Sequence, residues 1–155
     1  MTNISATSAW TEAEIAAFLG DTQIPLRIAV VDGDAPLICS VWFAYSNGNL
    51  ICVSHQDSRL AQLLTKAGRC GFEVAPNQPP YHGVRGKARV TVSAADAESQ
   101  LRKLIEHYLG DTNQKLANWL LGRADDEKVF VLTPTWITSW DYRNRMEVAG
   151  RGDTN

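Results

Sequence analysis

Apolar residues recur along the chain at two spacings, every second position in some stretches and three or four apart in others, so both strands and helices are legible. Thr11-Glu12-Ala13-Glu14 is a capping box, in which Thr11 can accept an amide of the first turn while Glu14 reaches back; it predicts a short helix carrying Ile15, Ala16, Phe18 and Leu19 and ending at Gly20. Leu26-Arg27-Ile28-Ala29-Val30-Val31 reads as a first strand, and Asp32-Gly33-Asp34 as the hairpin that follows it. A second strand is expected over 36–45, and Asn47-Gly48, a pair that tolerates positive φ, turns it back into a third over 50–54. Asp57 or Ser58 can then cap a helix with Leu60, Leu63 and Leu64 on one face and a stop at Gly68. A fourth strand over 70–75 is broken by Pro76-Asn77-Gln78-Pro79-Pro80, and a fifth over 83–92 interleaves cationic and small residues with valines. Ser93-Ala94-Ala95-Asp96 starts a longer helix with Leu101, Leu104, Ile105, Tyr108 and Leu109 at helical spacing; a shorter helix over 113–121 ends at Gly122. Segments 128–132 and 135–140 supply a last strand or pair joined at Pro134.

With Asn47-Gly48 as a two-residue turn, Phe43 faces Cys52, Tyr45 faces Leu50, Trp42 faces Val53 and Ser40 faces His55. Both faces of that hairpin are apolar. It therefore needs two covers, a barrel interior on one side and a helix, a cofactor or a partner subunit on the other. The same register holds Cys39 roughly 13 Å along the strand from the position opposite Cys52, too far for a disulfide. Strands outnumber helices and no β-α-β alternation occurs, so the expected class is mainly β (α+β), a six- to seven-stranded antiparallel barrel with peripheral helices.

At 155 residues and 17.1 kDa the chain has room for one core, expected over 1–149, with 150–155 a loose tail. Hydrophobic residues at 45% against 21% charged exclude a disordered chain. Fifteen Lys and Arg against 17 Asp and Glu leave a net charge of −2 with no basic block, which argues against a nucleic-acid groove. No apolar run has the length to cross a bilayer and the first ten residues carry neither a cation nor an apolar core, so a cytoplasmic location is expected. Cys39, Cys52 and Cys70 form no C-x-x-C pair, which suits reduced thiols better than a disulfide framework or a zinc site.

The familiar glycine-rich, P-loop, zincin and nucleophile-elbow motifs do not occur, and His55, His82 and His107 lack ligand spacing, so no metal site is expected. Ser40 opposite His55 invites a nucleophilic pair, but no third orienting acid or oxyanion turn accompanies it. Ser54-His55-Gln56-Asp57-Ser58-Arg59 differs, because it runs from a strand end into a helix start, where free amides and the macrodipole favour an anion. Ser58 and Arg59 add a hydroxyl and a guanidinium there; an ordinary helix cap with Arg59 in solvent is the competing interpretation.

Taken in order, Arg27-Ile28-Ala29-Val30-Val31, Ser40-Val41-Trp42-Phe43, Ser54 with Ser58-Arg59, Pro79-Pro80-Tyr81, Gly83-Val84-Arg85-Gly86-Lys87-Ala88-Arg89-Val90 and a terminal strand with Trp136 and Trp140 resemble the pyridoxamine 5'-phosphate oxidase-like, FMN-binding split-barrel proteins over most of the chain. The resemblance implies a homodimer with FMN at the subunit interface, its phosphate near Ser54, Ser58 and Arg59 and its ring along Ser40, Val41 and Trp42. Arg85 and Lys87 would add positive charge near the ring or the phosphate, and Trp136 and Trp140 would shelter the flavin or pack the barrel. Many members continue the Ser-Arg pair with Lys, where this chain has Leu60. The implied activity is an FMN-dependent oxidoreductase acting on a small molecule, with a nicotinamide as a possible donor. The deazaflavin-using branch of the same fold and a flavin-binding or storage protein without turnover are the alternatives. No side chain stands out as a proton-transferring catalytic group.

Overall fold

The computed structural model describes residues 2–150. Its elements are β1 (Asn3–Ile4), α1 (Glu12–Asp21), β2 (Leu26–Asp32), β3 (Ala35–Val41), β4 (Phe43–Ser46), β5 (Asn49–His55), α2 (Arg59–Ala67), β6 (Arg69–Val74), β7 (His82–Ser93), α3 (Ala97–Tyr108), α4 (Gln114–Leu121), β8 (Glu127–Asp141) and α5 (Arg143–Gly150). Seven strands form one antiparallel sheet in the order β3-β2-β6-β7-β8-β5-β4, and the two-residue β1 adds a parallel pairing to β8. The two end strands, β3 and β4, are separated in sequence by Trp42 alone, so the chain passes directly from one edge of the sheet to the other. This is possible only if the sheet curls until its edges approach, which makes it a split barrel.

One face of the curled sheet is the core. Leu26, Ile28 and Val30 of β2, Phe43 of β4, Leu50 and Cys52 of β5, Val84 of β7 and Phe130 and Leu132 of β8 are essentially inaccessible. Each such side chain contributes about 1.5–3 kcal/mol relative to leaving it exposed. Helix α2 adds Leu60, Ala61, Leu63 and Leu64 to the same cluster. Its start is set by Ser58, which accepts from the Ala61 amide, and its end by Gly68 at φ +63°, a conformation that costs glycine little. The capping box at Thr11 and Glu14 forms as expected, and Asp96 caps α3 by accepting from the amides of Glu98 and Ser99.

Three expectations need correction, and one open alternative, the last strand or pair, is decided. The stretch 36–45 is not one strand: β3 pairs with β2 and β4 with β5, and the chain breaks at Trp42. Tyr108 explains the break, because the Phe43 amide donates to its hydroxyl (3.3 Å) and the Trp42 indole stacks on its ring at 5.0 Å, supplying partners that a continuing ladder would have supplied. The register at Phe43–Cys52 and Tyr45–Leu50 holds, but Trp42 has no strand partner, Ser40 lies opposite Arg27, and His55 lies opposite Glu127, so the Ser40–His55 pairing does not exist. The final segments are one long strand, β8, with Thr135 bulged between Pro134, opposite Ala88, and Trp136, opposite Lys87. The bulge accommodates a proline in an interior strand. Lastly, β1 and α5 have no counterpart in the pattern reading; Gly150 closes α5, and 151–155 of the expected tail lie outside the described residues.

The second cover of the β4–β5 hairpin is a helix: α3 packs against β4, β5 and β8. No helix among the described residues is long and apolar enough to cross a membrane.

Candidate functional site

The outward face of the sheet carries the chemistry. Alternation along each strand places Arg27, Ala29 and Val31 of β2 outward, and the register sets Ser40, Ile38 and Pro36 of β3 beside them on one flank. On the other flank come Glu73 and Gly71 of β6, then Arg85 and Lys87 of β7, then Thr138 and Trp136 of β8. A cavity of about 440 Å³ lies over this face, lined by Arg27, Ala29, Ile38, Gly71, Glu73, Arg85, Lys87 and Trp136 among others. Its floor is flat because Ala29 and Gly71 sit side by side with no larger side chain: a Cβ at Gly71 would meet nothing nearer than 3.8 Å.

A second cavity of about 700 Å³ adjoins it, lined by Val31, Asp32, Gly33, Arg59, Gln62, Leu63, Lys66, Ala67 and Arg69. The two follow one another along the strands, since Val31 comes two residues after Ala29 and Arg69 two before Gly71 on the same outward faces. Six cations and two carboxylates line this groove on a chain whose net charge is −2. Among the described residues, Arg59 is the one groove cation in an ion pair: its Nη2 lies 2.5 Å from Oδ1 of Asp32, which raises the pKa of the guanidinium. Arg27 donates from Nη1 to the carbonyl of Ala75 at 3.1 Å, and the Arg85 guanidinium lies 5.4 Å from the centre of the Trp140 ring.

No family model matches the chain, and no curated protein matches its sequence. Solved structures do. A conserved hypothetical protein from Mycobacterium tuberculosis superposes with a TM-score of 0.74 over 94% of this chain and 93% of that one, at 19% identity. The chain has the split-barrel fold of the pyridoxamine 5'-phosphate oxidase-like proteins. An F420 reductase shares the split barrel with a TM-score of 0.64 over 77% of this chain and 93% of its own, at 18% identity. A candidate pyridoxamine 5'-phosphate oxidase from Listeria innocua does so at 0.63, over 83% and 96%, at 16% identity.

In this split barrel the expected site residues divide. Arg59, Arg85 and Lys87 line the groove. Ser54 and Ser58 do not: their Oγ atoms are hydrogen-bonded to each other at 2.8 Å, and Ser58 is occupied in capping α2. Ser40 is exposed beside Arg27 on the outward face and, together with Val41 and Trp42, lines a separate, largely apolar cavity of about 290 Å³ completed by Leu101, Leu104, Leu116, Leu120 and Glu127. Burial raises the Glu127 pKa there, with Arg123 and His55 opposing the shift. Trp136 and Trp140 share one face, and Trp136 reaches the groove. Lys87 and Arg85 stand on an interior strand rather than at an edge.

Leu60 is buried in the core, so a lysine at that position would have had to leave the cluster; Lys66 and Arg69 instead supply cations to the same cavity. Sequence reasoning missed Lys66, Arg69, Ala29, Gly71 and Asp32 as site residues. The period-two placement of the strand residues among them was visible, but the adjacency of β2 and β6, which are separated in sequence by three strands and a helix, was not.

Proposed function

We propose that the groove holds a flavin-type cofactor, with a ring system against the Ala29–Gly71 floor and a phosphate among Arg59, Lys66 and Arg69, and that the protein is an oxidoreductase. The observation that carries this reading is a small-residue floor joined to a cation-rich cavity on a protein that is otherwise acidic. A ring needs a flat apolar surface and a phosphate needs several donors; the two halves meet those needs in order. When bound, a flavin or deazaflavin supplies the hydride chemistry. The chain's own residues bind and orient: Ile38 and Trp136 flank the floor, and Arg85 and Lys87 place positive charge along its edge, where it would stabilise a reduced, anionic ring. FMN is the first candidate cofactor. A deazaflavin, whose phosphate is a singly charged diester, is the second, favoured by the ion pair that already engages Arg59.

We also propose a homodimer across this face, because Val31 and Ile38 are 62% and 65% exposed beside the groove, and a second copy would close the cofactor in. Three free cysteines suit a reducing cytoplasm.

The test is a fluorescence titration with FMN, riboflavin and a deazaflavin, followed by anaerobic reduction with nicotinamide donors. The reading expects quenching at micromolar cofactor, faster bleaching of bound than of free flavin, and slower bleaching or a shifted potential in Arg85→Ala. Tight binding without reduction by any donor would make the protein a flavin-binding or storage protein; no binding would remove the reading.

A further inference from the structure

The cavity assigned to the phosphate contains one group that opposes it. Asp32 closes β2 at the hairpin turn, next to Gly33 at φ +66°, and Arg59 opens α2 across the cavity. The contact is side-on: Nη2 of Arg59 donates to Oδ1 and Nε donates to Oδ2 at 3.4 Å. The two side chains are 60% and 32% exposed. An ion pair so open to water adds little to stability, so although an aspartate suits the turn it precedes, a need to hold the fold together does not account for its pairing with Arg59 in a cavity that also exposes Lys66 and Arg69.

We infer that Asp32 is a specificity-determining residue of this cavity, selecting a singly charged phosphodiester over a doubly charged phosphomonoester. The inference rests on the reading that the groove holds a phosphorylated ring cofactor. A carboxylate fixed beside the bound phosphoryl group repels it in proportion to its charge, while the cations that remain, Lys66 and Arg69, hold either form. A monoester approaches two negative charges near neutral pH, whereas a diester keeps one. The Asp32–Arg59 pair can persist beside a diester; beside a monoester the two anions compete for one guanidinium fork.

The test compares wild type with Asp32→Asn at pH 8, using three flavins with the same ring system and a phosphoryl charge of zero, one or two: riboflavin, riboflavin 4',5'-cyclic phosphate and FMN, each read as the ratio between the two proteins. Removing one fixed charge should tighten FMN about tenfold and the cyclic diester about threefold, the square root expected for half the charge, and leave riboflavin unchanged. Urea midpoints for Asp32→Asn and Asp32→Ala check that both variants fold. Weaker FMN binding in Asp32→Asn, or equal changes for all three flavins, would overturn the inference and leave Asp32 as a support that orients Arg59. If no flavin binds either protein, the cofactor reading falls, and the charge selection is judged on inorganic phosphate against the singly charged diester dimethyl phosphate, both followed by the amide resonances of Gly33 and Arg59. A larger gain for inorganic phosphate than for dimethyl phosphate in Asp32→Asn sustains it; equal or no gain ends it.

Discussion

Gly71 and Gly86 occupy neighbouring strands, and adding one methyl group to each should have opposite consequences. At Gly71 the nearest atoms to an added Cβ are the Gly86 carbonyl oxygen at 3.8 Å and Ala29 Cβ and O at 3.9 Å, ordinary contact distances. The substitution also removes glycine's excess conformational freedom in the unfolded chain, so Gly71→Ala should be neutral or stabilising by up to about 1 kcal/mol. At Gly86 an added Cβ would lie 2.5 Å from the Trp136 carbonyl oxygen and 2.6 Å from the Phe72 ring. Relief requires movement of roughly 1 Å, yet the oxygen belongs to the β7–β8 ladder and Phe72 is buried in the core. Overpacking of this kind costs about 1–3 kcal/mol. With a urea m-value near 2 kcal/mol/M, a loss of about 2 kcal/mol lowers the unfolding midpoint by about 1 M at constant m. Binding should then separate the two roles. The Gly71 methyl would stand up from the floor under the ring, so Gly71→Ala should lose about tenfold in FMN affinity, near 1.4 kcal/mol, while keeping its midpoint. Titration beside urea unfolding reads both quantities. A midpoint loss of 1 M in Gly71→Ala, or none in Gly86→Ala, would show that the geometry of the β6–β7–β8 face is wrong; unchanged FMN affinity in Gly71→Ala would show that the ring does not lie on this floor.

Arg59→Ala should weaken FMN and leave riboflavin unaffected, because only FMN carries a phosphate for the guanidinium, with equal losses for both assigning Arg59 to structure. Burial pushes the thiols of Cys52 and Cys70 up to about 12, so at pH 8 iodoacetamide should modify half-buried Cys39 alone in the native protein, and mass mapping that finds label on Cys52 or Cys70 without urea would contradict the packing. Because those folded-state values lie above that of an unfolded cysteine, the stability they contribute is present below about pH 8.5 and declines as pH rises toward 12. Alkaline unfolding of a Cys52→Ser, Cys70→Ser double variant should therefore show a shallower pH dependence in that window; an identical slope would count against the assignment.

Local chemistry was enough to locate most elements. The capping box at Thr11, the turn at Asn47-Gly48 with its Phe43–Cys52 register, the Ser58 and Gly68 ends of α2 and the Asp96 start of α3 each depend on residues within a few positions of one another, so the pattern of side chains decides them. The class of fold followed from the absence of β-α-β alternation. What required the tertiary structure was every pairing between strands distant in sequence. Trp42 reads as the middle of a strand until Tyr108, 66 residues later, provides the ring and hydroxyl that draw it out of the ladder. Ser54 and Ser58 read as two separate anion ligands, and only the structure shows that β5 and α2 bring their Oγ atoms into a mutual hydrogen bond while Ser58 also caps α2. The groove is the clearest case. Arg27, Arg59, Lys66, Arg69, Arg85 and Lys87 are scattered over four elements of an acidic chain and show no basic block, and the strand order that pairs β6 with β2 on one side and β7 on the other is what gathers them. Side-chain direction within a strand is a property of its own backbone, but which strands become neighbours is settled by burying all the inward faces at once, and that is a condition on the whole chain.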